Sequence, residues 1–164
     1  MEAIANTPSV NPPISDTKVV INNVLSLNIG NSCYGIDAFR IQEIIKFSEF
    51  TMVYHAPIYI LGVINLRGRI ITVIDLALKL GISSEQKKSG EIIIVEWKGE
   101  GVGLVVDRAA EVIPLEGKNI RGLPPNIDKS INRFLSEVYS YNGHLITILN
   151  IDELLRENKE GDDN

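Results

Sequence analysis

The chain is poor in the residues that do most enzyme chemistry. Its single cysteine, Cys33, excludes an internal disulfide framework and any Cys-rich zinc site. The histidines number only 2, His55 and His144, and neither has a sequence neighbour that would make a nucleophile–base pair. No acidic cluster has the spacing of a Ca²⁺ loop, and no His-Glu-x-x-His occurs. Apolar runs are short, and none nears the ~18 residues of a bilayer-spanning helix. No basic-then-apolar stretch opens the chain, so no signal peptide is expected. Basic residues are outnumbered, with 16 Lys+Arg against 21 Asp+Glu and a net charge of -5. That balance argues against nucleic acid as the main partner, because duplex binding needs a clustered basic face. The absences describe a soluble protein of a reducing compartment, expected to be cytosolic, with no membrane insertion, no metal and no cofactor.

What is present is apolar and β-branched, 45% apolar overall. A chain of 164 residues suits one domain, or two small ones sharing a core. Residues 1–17 hold Pro8, Pro12 and Pro13 among Asn, Ser and Thr, and are expected to be disordered. The acidic tail 157–164 is expected to fray, leaving a folded body over 18–156. In that body Leu25, Leu27 and Ile29 alternate with polar residues, the period of a strand. Gly30-Asn31, Arg67-Gly68-Arg69, Lys98–Gly101 and Asn142-Gly143 each separate two β-branched runs and predict hairpins. Asn142-Gly143 is the strongest of these, because both residues tolerate the positive φ of a type I′ turn. Helices are short: Asp75 can cap Leu76–Leu80, with Gly81 to end it, and Asn150 with Glu153 can box Leu154 and Leu155. A third helical turn is expected around Phe39–Glu43.

The chain repeats itself. Gly68–Leu76 and Gly143–Ile151 share the pattern Gly, any, apolar, Ile, Thr, apolar, apolar, Asx, apolar. Upstream, Gly35-Ile36 matches Gly103-Leu104, and Glu43-Ile44-Ile45 matches Glu111-Val112-Ile113. The second copy holds extra residues, placed in the stretch Leu115–Lys129. The reading is two similar closed β units, about 18–85 and about 86–156. Closure removes exposed strand edges, and each unit is small enough to need the other's apolar face.

Catalytic candidates are thin. His144 follows the Asn142-Gly143 turn and reads as solvated, as does His55 before Ala56-Pro57. Cys33 reads as a small core residue. Gly99, Gly101 and Gly103 lie between strands, not between a strand and a helix, so they read as turn chemistry and not as a phosphate cradle. Asp107-Arg108 is either an ion pair or two surface groups. Arg67 and Arg69 bracket Gly68 between apolar strands. That tip is either a solvated turn or a guanidinium held for contact with a partner.

Tyr34-Gly-Ile-Asp37, Ile41-Gln-Glu-Ile44, Gly62-Val-Ile-Asn-Leu-Arg-Gly68, Val73-Ile-Asp-Leu76, Gly103-Leu-Val-Val-Asp107 and Glu111-Val-Ile113 resemble the CheW coupling domain of bacterial chemotaxis. The resemblance runs from about Val20 to Leu155, with Thr72 where proline is usual and Ser136-Glu137 in place of a common glycine. It implies a mainly β fold of two five-stranded SH3-like barrels around a shared hydrophobic core. It further implies a non-catalytic adaptor that bridges the cytoplasmic tips of chemoreceptors to the regulatory domain of the histidine kinase CheA, at membrane-associated receptor arrays. By the match, Arg67 is the important arginine, with Asn65, Leu66 and Gly68 in its motif. Glu43 and Gly62 fall at coupling positions, and Ile41 fits a core position as well as a contact. Ile36, Val105 and Val106 are expected to line a groove that takes a receptor helix. A rival reading is a small barrel that binds single-stranded nucleic acid through Tyr34, Phe47, Phe50 and Tyr54, although only Lys46 supplies nearby charge. An enzyme using the inter-barrel groove lacks an evident acid–base set.

Overall fold

The structure is a computed structural model that describes residues 21–83 and 85–156. The expected disordered start, 1–17, and the acidic tail, 157–164, lie outside the described residues. The fold is mainly β. Its first half comprises β1 (Asn23–Ile29), β2 (Ser32–Asp37), β3 (Ile41–Lys46), β4 (Ile60–Leu66), β5 (Arg69–Asp75) and the short helix α1 (Leu76–Lys79). Its second half comprises β6 (Glu91–Trp97), β7 (Glu100–Val106), β8 (Arg108–Pro114), β9 (Ile120–Arg121), α2 (Lys129–Asn132), β10 (Leu135–Tyr141), β11 (His144–Leu149) and α3 (Ile151–Leu155). The stretch of extra residues in the second copy forms a 3-10 turn and β9. The helical turn expected at Phe39–Glu43 is a 3-10 turn, Ala38–Arg40, and Ile41 already begins β3.

Strands assemble into two sheets, ordered β3-β6-β7-β5-β4 and β8-β1-β2-β11-β10-β9. Replacing each strand by its repeat counterpart turns the first order into the second, with β9 added. Duplication is therefore visible in the hydrogen bonding. The expected division into 18–85 and 86–156 is corrected by the same orders. The β1–β2 hairpin pairs with β8 and, in parallel, with β11 (Tyr34 opposite Thr147), all strands of the second half. The β6–β7 hairpin pairs with β3 and, in parallel, with β5 (Val102 opposite Thr72). Each unit thus takes its central hairpin from the other half of the chain.

Exchange explains the burial of the central strands. Val24–Leu27 and Ile92–Val95 are buried without a break, because both faces are covered. One face of each unit lines its own interior: Ile92, Ile94, Ile71 and Val73 in the five-stranded sheet, Val24, Ile146 and Ile148 in the six-stranded sheet. The other face joins a shared core, where Leu27, Ile29 and Leu149 meet Ile93, Val95 and Leu104 together with Leu76 of α1 and Leu154 of α3. The two helices are capped alike. The buried Asp75 carboxylate accepts from Leu78 N (3.3 Å) and Lys87 N (2.7 Å), and Asn150 Oδ1 accepts from Glu153 N (3.2 Å). Glu153 does not complete a box: the Asn150 N–H donates to Phe134 O at 2.8 Å, and the Glu153 carboxylate pairs with Arg156 at 3.0 Å.

Each sheet is drawn round by the chain that leaves its edge strand. After β3 the chain crosses to β4, where Thr51 and Val63 exchange two hydrogen bonds of 2.8 Å. After β8 the corresponding chain supplies β9, which pairs with β10 at the opposite edge. Asp107 ties three segments together. It accepts from Gly30 N at 2.6 Å in the β1–β2 turn and pairs with Lys87 of the linker, not with Arg108.

Two outcomes follow for the isolated protein. A fragment ending at Glu85 and one beginning at Gln86 should each lack a cooperative unfolding transition and should regain it when mixed. A cooperative melt from either fragment alone would contradict the exchange. Partial burial pushes the Asp107 carboxyl up, but its hydrogen bonds from Lys87 and Gly30 and the Lys87 charge outweigh this and leave its pKa below the ordinary carboxylate value. The folded-state pKa is the lower one, so the stabilisation is present above the unfolded value and is lost as pH falls through the folded one. Asp107→Asn should therefore lower Tm at pH 7, with the difference closing below about pH 4 in thermal melts.

Candidate functional site

The β4–β5 hairpin ends in a two-residue turn. Arg67 (φ 53) and Gly68 (φ 83) both take the left-handed conformation of a type I′ turn. Each motif residue has its own task. Asn65 Oδ1 accepts from Gly68 N at 2.9 Å and fixes the turn. Leu66 packs against the interior of the five-stranded sheet. Gly68 has open space around its missing Cβ and is needed for its φ alone. Arg67 is displayed, with three-quarters of its side chain exposed.

A left-handed conformation costs a non-glycine residue about 1 kcal/mol, least for asparagine. The twin turn between β10 and β11 uses Asn142, at φ 48. Lys98 shares the conformation in the β6–β7 turn, with its ammonium 4.5 Å from the Trp97 ring. Arg67 is held by Glu43 of β3 through a two-pronged pair, Nη1 to Oε2 at 2.5 Å and Nη2 to Oε1 at 3.3 Å. The Glu43 hydrogen bond, and then its charge, raise the Arg67 guanidinium above its ordinary pKa. The pair rims a concavity of about 520 Å³ at the open end of the sheet, walled by Gln42, Leu66 and Arg69 and floored by Ile71 and Ile94. Neighbouring strands add exposed apolar residues, Ile44 on β3 and Ile70 on β5. The site offers a rigid cation–anion couple beside aliphatic surface.

Residues 23–159 match the family of CheW-like domains. The chain belongs to that family. It is 33% identical over 130 residues to the chemotaxis protein CheW of Helicobacter pylori, covering 79% of this chain and 78% of that one. Against the Thermotoga maritima chemotaxis protein CheW the identity is 34% over 134 residues, covering 82% and 87%. The crystal structure of the scaffolding protein TtCheW from Thermoanaerobacter tengcongensis superimposes with a TM-score of 0.75 at 33% identity, covering 85% of this chain and 95% of that one.

Within this CheW-like fold the expected site residues part company. Glu43, Asn65, Leu66, Arg67 and Gly68 come together at one tip. Ile41 packs against the shared core, a half-buried position. Ile36, Val105 and Val106 are corrected: all are 0% exposed and line no groove. Ile36 and Val106 belong to the shared core and Val105 to the interior of the five-stranded sheet, because both faces of their strands are covered. Gly62 is buried as well. A Cβ there would lie 2.2 Å from the Thr51 carbonyl oxygen, so this glycine makes room for the bridge that draws the sheet round. Phe47 and Phe50 pack edge to face, at 6.1 Å, and against the same interior, so they offer no free stacking platform. Burial, above all, pushes the Cys33 thiol up, away from the thiolate a nucleophile needs.

Phe39 was not legible as a site residue. It stands 93% exposed on the 3-10 turn, with Asp37 Oδ1 accepting from its N–H at 3.0 Å. Beside it Arg40 donates to Glu96 O at 3.2 and 3.0 Å and to Asp152 at 3.1 Å, clamping the turn to β6 and α3. Aromatic residues such as phenylalanine are enriched at protein interfaces.

Gly62→Ala should cost about 3 kcal/mol or more in urea denaturation, since backbone must move to admit the methyl group. Gly68→Ala meets no atom and should cost only about 1 kcal/mol, from φ strain alone.

Proposed function

We propose that this chain is a non-catalytic chemotaxis adaptor, recruited in the cytoplasm to membrane-associated receptor arrays, where it links chemoreceptor tips to the regulatory domain of a CheA-type histidine kinase. Receptor state would then control kinase autophosphorylation through it. The observation that carries the reading is the Arg67–Glu43 couple, fixed on a strained two-residue turn beside exposed Ile44 and Ile70. Such a couple adds little stability at a surface. At an interface, with water excluded, a truncated arginine commonly costs about 2 kcal/mol or more. In this reading Glu43, Asn65, Leu66, Arg67 and Gly68 form the coupling tip. Phe39 is a second anchor for a helix, which engages a partner through spaced apolar side chains. Ile41 supports that anchor from the core side. No helix among the described residues is long and apolar enough to cross a membrane, so attachment to arrays would come through these contacts.

The decisive variant is Arg67→Asn. Asparagine occupies the same turn position and conformation at Asn142, so folding should be unchanged within about 1 kcal/mol. Co-sedimentation with receptor signalling fragments and CheA should fall about tenfold or more. Receptor-dependent kinase stimulation should fall with it. Full co-sedimentation and full stimulation by Arg67→Asn would remove this role from the tip.

A further inference from the structure

Duplication gives the Arg67 end of the five-stranded sheet a counterpart at the corresponding end of the six-stranded sheet. Glu111 on β8 stands where Glu43 stands on β3, and Ile146 and Ser26 replace Ile71 and Ile94 in the floor. The turn residue that corresponds to Arg67 is Asn142. This second end encloses a cavity of about 650 Å³, larger than its twin. Its carboxylate differs from the twin's in what it meets. Glu43 is neutralised by Arg67 from the same chain, whereas the Glu111 side chain makes no hydrogen bond or ion pair with any described residue.

Glu111 is nonetheless fixed at its base. The nearly fully buried Ser26 hydroxyl accepts from Glu111 N and donates to Glu111 O, both at 3.0 Å. Cys33, on the cavity wall, feels the Glu111 charge: burial chiefly raises its thiol pKa and that carboxylate raises it further. Leu145, 61% exposed, also lines the opening and offers apolar surface to whatever enters.

We propose that this second end receives the guanidinium of an arginine side chain presented by another protein, with Glu111 as its ionic partner. The chain's own Arg67–Glu43 pair is the template for the contact. A carboxylate on a strand with an open position opposite it accepts a planar fork through two parallel hydrogen bonds, which an ammonium cannot match. An exposed ion pair by itself gains little. The occupant is therefore a side chain whose protein also covers Leu145, and a free guanidinium binds there by the same contact but more weakly.

The test uses the full-length chain, labelled with ¹⁵N, and N-acetyl-arginine amide as probe. Amide shifts should move at Glu111, Cys33 and Leu145. N-acetyl-citrulline amide, the neutral isostere, should leave them in place, and N-acetyl-lysine amide should act more weakly. Glu111→Gln should reduce the response about five-fold or more. Asn142→Arg should do the same by a different route, since it rebuilds the twin's pair in the same chain and fills the position. Glu43→Gln should leave the response unchanged. Equal shifts from citrulline and arginine, an undiminished response in either Glu111→Gln or Asn142→Arg, or no response at all would overturn the proposal. The measurement involves neither kinase nor receptor, so it stands apart from the adaptor reading.

Discussion

The shared apolar core exists because each sheet is completed by a hairpin from the opposite half of the chain. Were β1–β2 to pair within its own half, Leu27 and Ile29 would have no second sheet to meet. Exchange places them against Ile93, Val95 and Leu104, and the two units share one core. Apolar burial of this kind is the dominant favourable term in folding. Its arrangement also decides what is left for binding. The central strands are covered on both faces, so recognition is confined to turns, edges and open ends.

The Arg67 tip shows how a stiff scaffold serves a weak local interaction. A bidentate pair at the surface cannot hold a loop in place unaided. Here β4 and β5 are paired without a break from Gly62 to the turn, Leu66 packs against the interior, and Asn65 ties off the turn. The guanidinium is thereby displayed with little freedom left to lose on binding, which is the condition under which a single contact contributes most. Phe39 is prepared in the same manner by different means, an Asp37 cap and the Arg40 clamp.

Much of this was legible in the residues. Alternation marked the strands, Asn142-Gly143 marked a turn, Asp75 and Asn150 marked helix starts, and the nine-residue repeat revealed the duplication. Which hairpin joins which sheet was not legible, because duplicated strands offer near-identical partners in either half and only three-dimensional packing chooses between them. That gap led directly to the misplacement of Ile36, Val105 and Val106. Their apolar character is right for a seam, but whether a seam is open or filled depends on what covers the second face. The Glu43–Arg67 pair was hidden for a related reason, since it links a loop tip to a strand with no fixed sequence spacing. Phe39 gave no periodic signal, lying in a short turn, Asp37-Ala38-Phe39-Arg40, between two strands.

The parallel contact between Tyr34 and Thr147 has a consequence for synthesis. Of the described strands, β1 and β2 are made first, yet theirs is the sheet finished last. Until β11 emerges, β2 has no strand on its outer side, and the aliphatic residues of β1 and β2 wait uncovered. Such distant pairings delay the reward for closing the loop between them and lengthen the interval in which a nascent chain can associate wrongly. The same exchange that joins the two units in the folded state therefore leaves these strands unpaired longest during synthesis.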